Sequence, residues 1–444
     1  MDSQRESWGS RFGFVMAAAG SAVGLGNVWR FPYITGDNGG GAFLLIYLAI
    51  VAGFGLPLVI AEIVLGRTAQ RNPVGAFRLL GGRAWPAVGY LGVLTGFVIL
   101  SFYVVVAGWT LAYIGFMARG LLSTGPQALG ADFGRFIGGG SAIAYATAFM
   151  ALTAFVVASG IGKGIERANK LLMPALFVLL LILLARAVTL PGAADGLRFF
   201  LVPDFSRVTG ATFSAALSQA FFSLSLGMGC MVTYGSYLRS RERIASASGM
   251  VVGLDVLAAI LAGLVVLPVV FAFGFDPGQG PGLTFVTLPA VFASMPLGQL
   301  FGVLFFLLLA IAALTSAVSI LEPAVSLLVD ERGLSRTAAA WACAAVALAL
   351  GIPASLSFGA WAGFTLFGKT FFDLLDFAAT SVMMPLGALL TAVFVGWFWA
   401  APAARALSND GELRQPWAPA WGAVLRFVAP PALAWILLLS IGLI

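Results

Sequence analysis

Long apolar runs bounded by charges, glycines and prolines recur along the chain, near 11–36, 41–66, 86–117, 141–159, 171–190, 213–238, 244–272, 298–328, 337–355, 371–400 and 422–444. A helix needs roughly 20 apolar residues to cross the hydrocarbon of a bilayer. The pattern therefore predicts eleven spans in an all-α integral membrane protein, with 1–444 as one transmembrane domain and no room for a sizeable soluble one. The longest connections are 191–212 and 273–297, and the second, rich in Gly and Pro, is expected to carry a short helix near Thr287 to Ser294.

Composition agrees: of 444 residues 60% are hydrophobic and 9% charged, and the mean hydropathy is +1.01. The 24 Lys+Arg against 18 Asp+Glu give a net charge of +6. Such a balance would suit a nucleic-acid partner if it were clustered, but the basic residues flank the apolar runs and read as a topology signal. With a cytoplasmic N-terminus, seventeen fall inside, from Arg5, Arg11, Arg67, Arg71, Arg78 and Arg83 through Lys163, Arg167 and Lys170 to Arg426. Seven (Arg30, Arg119, Arg135, Arg186, Arg198, Arg207, Lys369) fall outside. An odd number of spans then puts the C-terminus outside. The expected partner is the bilayer, not nucleic acid, and the pattern sets no oligomeric state. The polar Met1 to Trp8 stretch, followed by an apolar run too long for an h-region, predicts that the first span is retained.

Histidine is absent, which excludes Ser-His-Asp and Cys-His catalysis, HExxH metalloproteolysis and relays through imidazole. Cys230 and Cys343 lie in apolar runs without CxxC spacing and read as buried small hydrophobes.

Three glycines in seven positions interrupt the first span at Gly20, Gly24 and Gly26. Alone, they fit close helix packing as well as an unwound segment. A second interruption, Ser223-Leu224-Ser225-Leu226-Gly227-Met228-Gly229, falls five spans later. Paired broken helices at matching places in two halves mark midplane sites in secondary transporters. In the eighth span Ala312, Thr315, Ser316 and Ser319 share one face. They form either self-bonded hydroxyls or oxygen ligands for a hard cation such as Na⁺. Charges within spans are Arg30, Glu62, Asp255, Glu322 and Asp376, and charge at depth is costly enough to mark a path. Asp255 has no basic neighbour in sequence and needs a cation or proton. Arg30 and Asp376 near their outer helix ends are expected to form an ion pair, structural or serving as a breakable gate.

The run Arg11-Phe12-Gly13 through Gly20-Ser21-Ala22-Val23-Gly24-Leu25-Gly26-Asn27-Val28-Trp29-Arg30-Phe31-Pro32-Tyr33, followed by Asn38-Gly39-Gly40-Gly41-Ala42-Phe43, resembles the signature of the neurotransmitter:sodium symporter family. Glu62, Phe102-Tyr103, Gly162-Lys163-Gly164-Ile165-Glu166, Gln219 to Gly229, Leu314-Thr315-Ser316 and Asp376-Phe377 extend the resemblance over essentially the whole chain. It implies the LeuT-type fold, with inverted five-helix repeats at 11–190 and 213–400, an additional helix at 422–444, and the first and sixth helices broken at the midplane. The eleven-helix bacterial amino-acid transporters of the family are the members it is most similar to, so a bacterial inner membrane is implied.

The same resemblance implies a substrate pocket of Ser21, Ala22, Gly24, Leu25, Gly26, Ile99, Tyr103, Phe222, Ser223, Ser225, Met228, Ser316, Ser319 and Ile320. Two Na⁺ ions are implied. The first would take Ala22, Asn27, Ser223 and Asp255 with the substrate carboxylate, the second Gly20, Val23, Ala312, Thr315 and Ser316. Tyr103 and Phe222 would form the inner layer of an outer gate and Arg30 with Asp376 its outer layer. Arg5, Trp8, Tyr237 and Asp330 match an inner gate. Gly164 and Pro174, with nine residues between them, suggest a hinge that unwinds toward the inside, or a helix-end Gly and a Pro kink without a gating role.

Three positions narrow the expectation. Gly24 stands where monoamine carriers of the family have an aspartate, which favours an α-amino acid carrying its own carboxylate. Asp255 stands where chloride-dependent relatives have a neutral amide, so chloride is not expected and proton counter-transport is. Met228, deformable, would admit larger apolar or aromatic L-amino acids, or simply fill the core. The expectation is a sodium-coupled symporter and not an enzyme. The alternatives are a non-transporting membrane amino-acid sensor of the same fold and a channel.

Overall fold

A computed structural model describes residues 6–120, 125–239, 242–277 and 282–443. Among them, nine helices are long and apolar enough to cross a membrane: Gly41–Ala69, Pro86–Arg119, Gly140–Ala158, Ile161–Ala187, Ile244–Ala272, Gly298–Arg332, Arg336–Leu356, Phe371–Phe398 and Ala418–Ser440. A tenth crossing is the pair Arg11–Ala22 and Gly26–Asp37, bent by 46°. The eleventh is Gly210–Ser223 followed by Cys230–Gly235, with residues 224–229 outside any helix. The eleven crossings agree with the apolar runs, and they are numbered below in chain order.

Of the nine long helices the third and eighth spans, Pro86–Arg119 and Gly298–Arg332, are the most buried, whereas Ala418–Ser440 packs by a minor share of its surface. Exposed Phe155, Leu171, Leu181, Phe427 and Trp435 lie on spans. In water such a surface would be a liability; against lipid it is the natural outer face of the bundle.

The connections hold the breaks in place. Between the seventh and eighth spans the short helix lies at Leu288–Ser294, preceded by a wider turn at Leu283–Thr287. With Pro126–Ile137 it caps the face opposite the N-terminus: Phe133 and Phe285 stack at 5.5 Å, and both meet Trp109 of the third span edge-on. The fifth span starts at Ile161, ten residues earlier than its apolar run. The charged stretch Lys163 to Lys170 reads as a loop in sequence, but it is helical because Glu166 is buried and bonded to the N-terminal segment. Its carboxylate accepts from Gly9 N (2.7 Å) and Ser10 Oγ (3.1 Å) and pairs with Lys170 (2.5 Å).

Candidate functional site

The two broken helices meet the eighth and third spans at the centre of the bundle. In the first span the helical ladder ends at Ala22, and Asn27 Oδ1 accepts from Gly24 N (3.1 Å) across the gap. Carbonyls freed by the break turn toward the eighth span. Ser316 Oγ lies 3.2 Å from the oxygen of Gly20, 3.3 Å from that of Ser21 and 3.4 Å from that of Val23. One hydroxyl proton cannot satisfy three carbonyls, so this corner is rich in oxygen and poor in donors. Thr315 Oγ1 donates within its own helix toward Ile311 O (3.2 Å) and Ala312 O (3.1 Å). Gly20, Val23, Ala312, Thr315 and Ser316 are thus one cluster of neutral oxygens, the donor chemistry a hard monovalent cation takes.

A second cluster surrounds Asp255, which is fully buried. Its Oδ1 accepts from Asn27 Nδ2 and from Ser223 Oγ, both at 2.7 Å, and Tyr47 Oη lies 3.4 Å from Oδ2. No basic side chain is among these partners. Asn27, Ser223 and Asp255 therefore converge, and a carboxylate among neutral donors at depth also suits a cation.

Between the clusters lies a narrow cavity lined by Ser21, Ala22, Gly24, Leu25, Gly26, Ile99, Tyr103, Phe222, Ser225, Met228, Ser316 and Ile320. Two residues expected in it are not walls. Ser223 turns its hydroxyl to Asp255, and Ser319 bonds back to the carbonyl of Ser316 at 2.8 Å. Tyr103 Oη accepts from Leu25 N at 3.4 Å, leaving its proton free to donate. A Cβ on Gly24 would stand 2.4 Å from Ser316 Oγ, so glycine there keeps the floor open. Met228 sits between Gly227 and Gly229, both at φ +74°, a left-handed conformation that side chains resist. Glu62 Oε1 holds this loop by accepting from Gly227 N (2.8 Å).

Toward the face opposite the N-terminus, Phe222 is half-buried beneath Arg30, whose guanidinium lies 5.1 Å from the ring centre. The expected Arg30–Asp376 ion pair is not formed among the described residues. Arg30 instead bonds Gln219 Oε1 (2.9 Å) and Ser218 Oγ (3.3 Å), while Gln219 Nε2 donates to Gly26 O (2.8 Å). A fork of neutral acceptors on the adjacent sixth span satisfies the guanidinium without a carboxylate. Gln219 opens the stretch Gln219 to Gly229 that carries the family resemblance, but residue type alone does not reveal its bridging role.

At the N-terminal face Trp8 is 3% exposed. Its backbone N–H donates to Tyr237 O (3.1 Å) and its indole to Tyr234 O (2.9 Å). Tyr237 Oη donates to Glu322 (2.6 Å), which also takes Arg336 (2.5 Å). Asp330 Oδ2 accepts from the backbone (2.9 Å) and side-chain amide (3.1 Å) of Asn72. Arg5, expected with this group, lies outside the described residues. Arg336 and Asn72 had no sequence signal beyond their types. Gly164 has a packing reason to be glycine, since its Cβ would lie 2.2 Å from Val156 O, and Pro174 is accommodated inside Arg167–Ala187.

Residues 5–122 and 137–442 match the sodium:neurotransmitter symporter family. The chain belongs to this family. It is 42% identical over 441 residues to the sodium-dependent transporter YhdH of Bacillus subtilis, covering 98% of both chains. It is 28% identical over 378 residues to a sodium- and chloride-dependent taurine transporter of Bos taurus, covering 74% of this chain and 61% of that one. Its fold superposes on the crystal structure of MhsT in complex with L-phenylalanine with a TM-score of 0.91 and 46% identity, over 98% of this chain and 99% of that one. This symporter-family member is therefore a sodium-dependent, multi-pass membrane transporter of LeuT fold, and not an enzyme.

Proposed function

We propose that the protein is a sodium-coupled symporter of apolar and aromatic L-amino acids, working by alternating access in a bacterial plasma membrane with its N-terminus in the cytoplasm and its C-terminus outside. The observation that carries this reading is the cavity between the two broken helices, with a polar end at Tyr103 and Leu25 N and apolar walls from Ile99, Phe222, Met228 and Ile320. An α-amino acid matches it. The carboxylate accepts a hydrogen bond from the Tyr103 hydroxyl, the ammonium goes to carbonyls of the breaks, and the side chain fills the apolar end. MhsT, 46% identical, holds L-phenylalanine.

Two Na⁺ ions would travel with the substrate. The first is assigned to Ala22, Asn27, Ser223 and Asp255, completed by the substrate carboxylate; the second to Gly20, Val23, Ala312, Thr315 and Ser316. Because Asp255 supplies a fixed negative charge, transport needs no chloride, and the empty carrier returns with Asp255 protonated, exporting a proton. The outer gate is Tyr103 and Phe222 with Arg30 above them; Asp376 is the partner Arg30 would exchange to as the gate moves. The inner gate is Trp8 against Tyr234 and Tyr237, with Asp330 at its rim. The inverted repeats 11–190 and 213–400, with 422–444 appended, move against each other. The fifth span opens between Gly164 and Pro174 to admit water to the second ion.

Equilibrium binding of labelled L-phenylalanine to purified protein tests the reading. Binding is expected in NaCl and in sodium gluconate but not in choline chloride, with competition by Leu, Met, Tyr and Trp. Competition by glycine or lysine alone would overturn the assigned substrate class.

A further inference from the structure

The fifth span buries a polar side chain beside the first and eighth spans. Asn169 is 1% exposed. Its Nδ2 donates to Ile165 O at 2.9 Å, one turn earlier, and its Oδ1 has no hydrogen-bond partner among the described residues. The orientation follows from chemistry. The Ile165 carbonyl can only accept, so turning the amide over would set oxygen against oxygen. The orphan oxygen is therefore fixed on the other side, where it faces the first span. A Cβ on Gly20 would lie 2.1 Å from Asn169 Oδ1 and 3.1 Å from Thr315 Cβ. Three elements crowd one point: the Gly20 corner of the first helix, Thr315 of the eighth and Asn169 of the fifth. Two of these belong to the oxygen cluster assigned to the second ion.

A buried amide oxygen left without a donor is costly, and a site rich in acceptors and poor in donors is relieved by a cation. We propose that Asn169 Oδ1 is a further oxygen ligand of the second sodium position and couples occupancy of that position to the winding of the fifth span. The inference rests on the assignment of that position given above.

The coupling follows from where the amide is anchored. Ile165 sits in the turn Ile161–Glu166, the first turn of the span. This turn is held from outside the helix: Ile161 N donates to Glu6 Oε2 (2.6 Å), and Glu166 takes Gly9 N and Ser10 Oγ. If the N-terminal segment leaves and the turn unwinds, Ile165 O is lost as the anchor and Asn169 Oδ1 is no longer aimed at Gly20. Conversely, an ion held by Oδ1 favours the wound turn by mass action, because it binds one state better than the other. Ion release and opening of the N-terminal face then become one event.

The test uses full-length purified protein in nanodiscs. Hydrogen–deuterium exchange of the 161–174 segment is followed in NaCl and in choline chloride without substrate, and the Na⁺ concentration for half-maximal L-phenylalanine binding is measured alongside. Wild type is expected to gain protection of 161–169 with Na⁺. Asn169→Ala is expected to lose most of that protection and to need about 10-fold more Na⁺, equal to about 1.4 kcal/mol. Asn169→Asp keeps an oxygen beside the ion but sets its other oxygen against the Ile165 carbonyl, so it should hold the Na⁺ midpoint within about threefold of wild type while losing the Na⁺-linked protection of 161–169; it also serves if the alanine variant fails to fold. Thr315→Ala separates the two levels of the argument. If it raises the Na⁺ requirement while Asn169→Ala leaves midpoint and protection unchanged, the proposal for Asn169 is overturned and the ion assignment stands. If neither variant moves the Na⁺ midpoint, the ion assignment itself fails.

Discussion

Replacing Asp255 with Asn leaves the shape of its buried cluster nearly unchanged and removes its charge. The carboxylate accepts two hydrogen bonds at 2.7 Å, from Asn27 and Ser223. What the substitution removes for the ion is the attraction of a fixed charge, and at an effective dielectric constant of about 20 two unit charges about 4 Å apart interact by about 4 kcal/mol. If about half of that is lost, the Na⁺ concentration needed for half-maximal uptake rises roughly 30-fold. If the carboxylate stands in for a bound anion, chloride should recover part of this loss. The assay is Na⁺-driven uptake of labelled L-phenylalanine into proteoliposomes, in chloride and in gluconate. Wild type is expected to work equally in both, and Asp255→Asn to be nearly silent in gluconate and stimulated by chloride. The proton has a sign as well: if Asp255 carries H⁺ outward on the return step, an acidic lumen should accelerate wild-type uptake and leave the variant unaffected. A wild type that strictly requires chloride, or a variant as active in gluconate as wild type, would refute the reasoning.

Gly24→Ala places a Cβ 2.4 Å from Ser316 Oγ, and overpacking of this kind costs about 1–3 kcal/mol, so substrate affinity should fall about 5- to 150-fold; calorimetric titration showing less than a twofold change would contradict the cavity floor described. Trp8→Ala removes a plug that is 3% exposed and bonded to Tyr234 O. In a Cys343→Ala background the buried Cys230 should react with thiol reagents about 10-fold faster, a bias toward the open state; unchanged labelling would mean that Trp8 does not seal this path. Met228→Phe replaces a deformable wall by a rigid one, and labelled tryptophan uptake should drop more than leucine uptake, whereas an equal loss of both would assign Met228 to folding alone.

Much of the architecture was legible because a bilayer demands long apolar helices, and eleven such runs stood out between charges. The breaks were legible for a related reason: glycine clusters in mid-span have no use in a straight lipid-facing helix, and two of them occupy matching places. What could not be read was direction and distance across helices. Ser223 and Ser319 lie on suitable faces, but their hydroxyls are taken by Asp255 and by the carbonyl of Ser316. Arg30 and Asp376 are complementary in charge, yet Gln219 and Ser218 satisfy the guanidinium first. The start of the fifth span was hidden because Lys163, Glu166, Arg167 and Lys170 look like a solvated loop, while Glu166 in fact binds a segment some 157 positions away in sequence. Asn169 gave no signal, since its meaning lies in an unpaired atom.

Gradient-driven accumulation tests the central claim most directly. Labelled L-phenylalanine uptake into proteoliposomes is compared with Na⁺ imposed outside and with choline in its place. Accumulation above the external concentration, sustained only while the Na⁺ gradient lasts, is the result expected of a coupled symporter. Saturable Na⁺-dependent binding with no accumulation at any gradient would contradict it and make the protein a sensor built on the same fold.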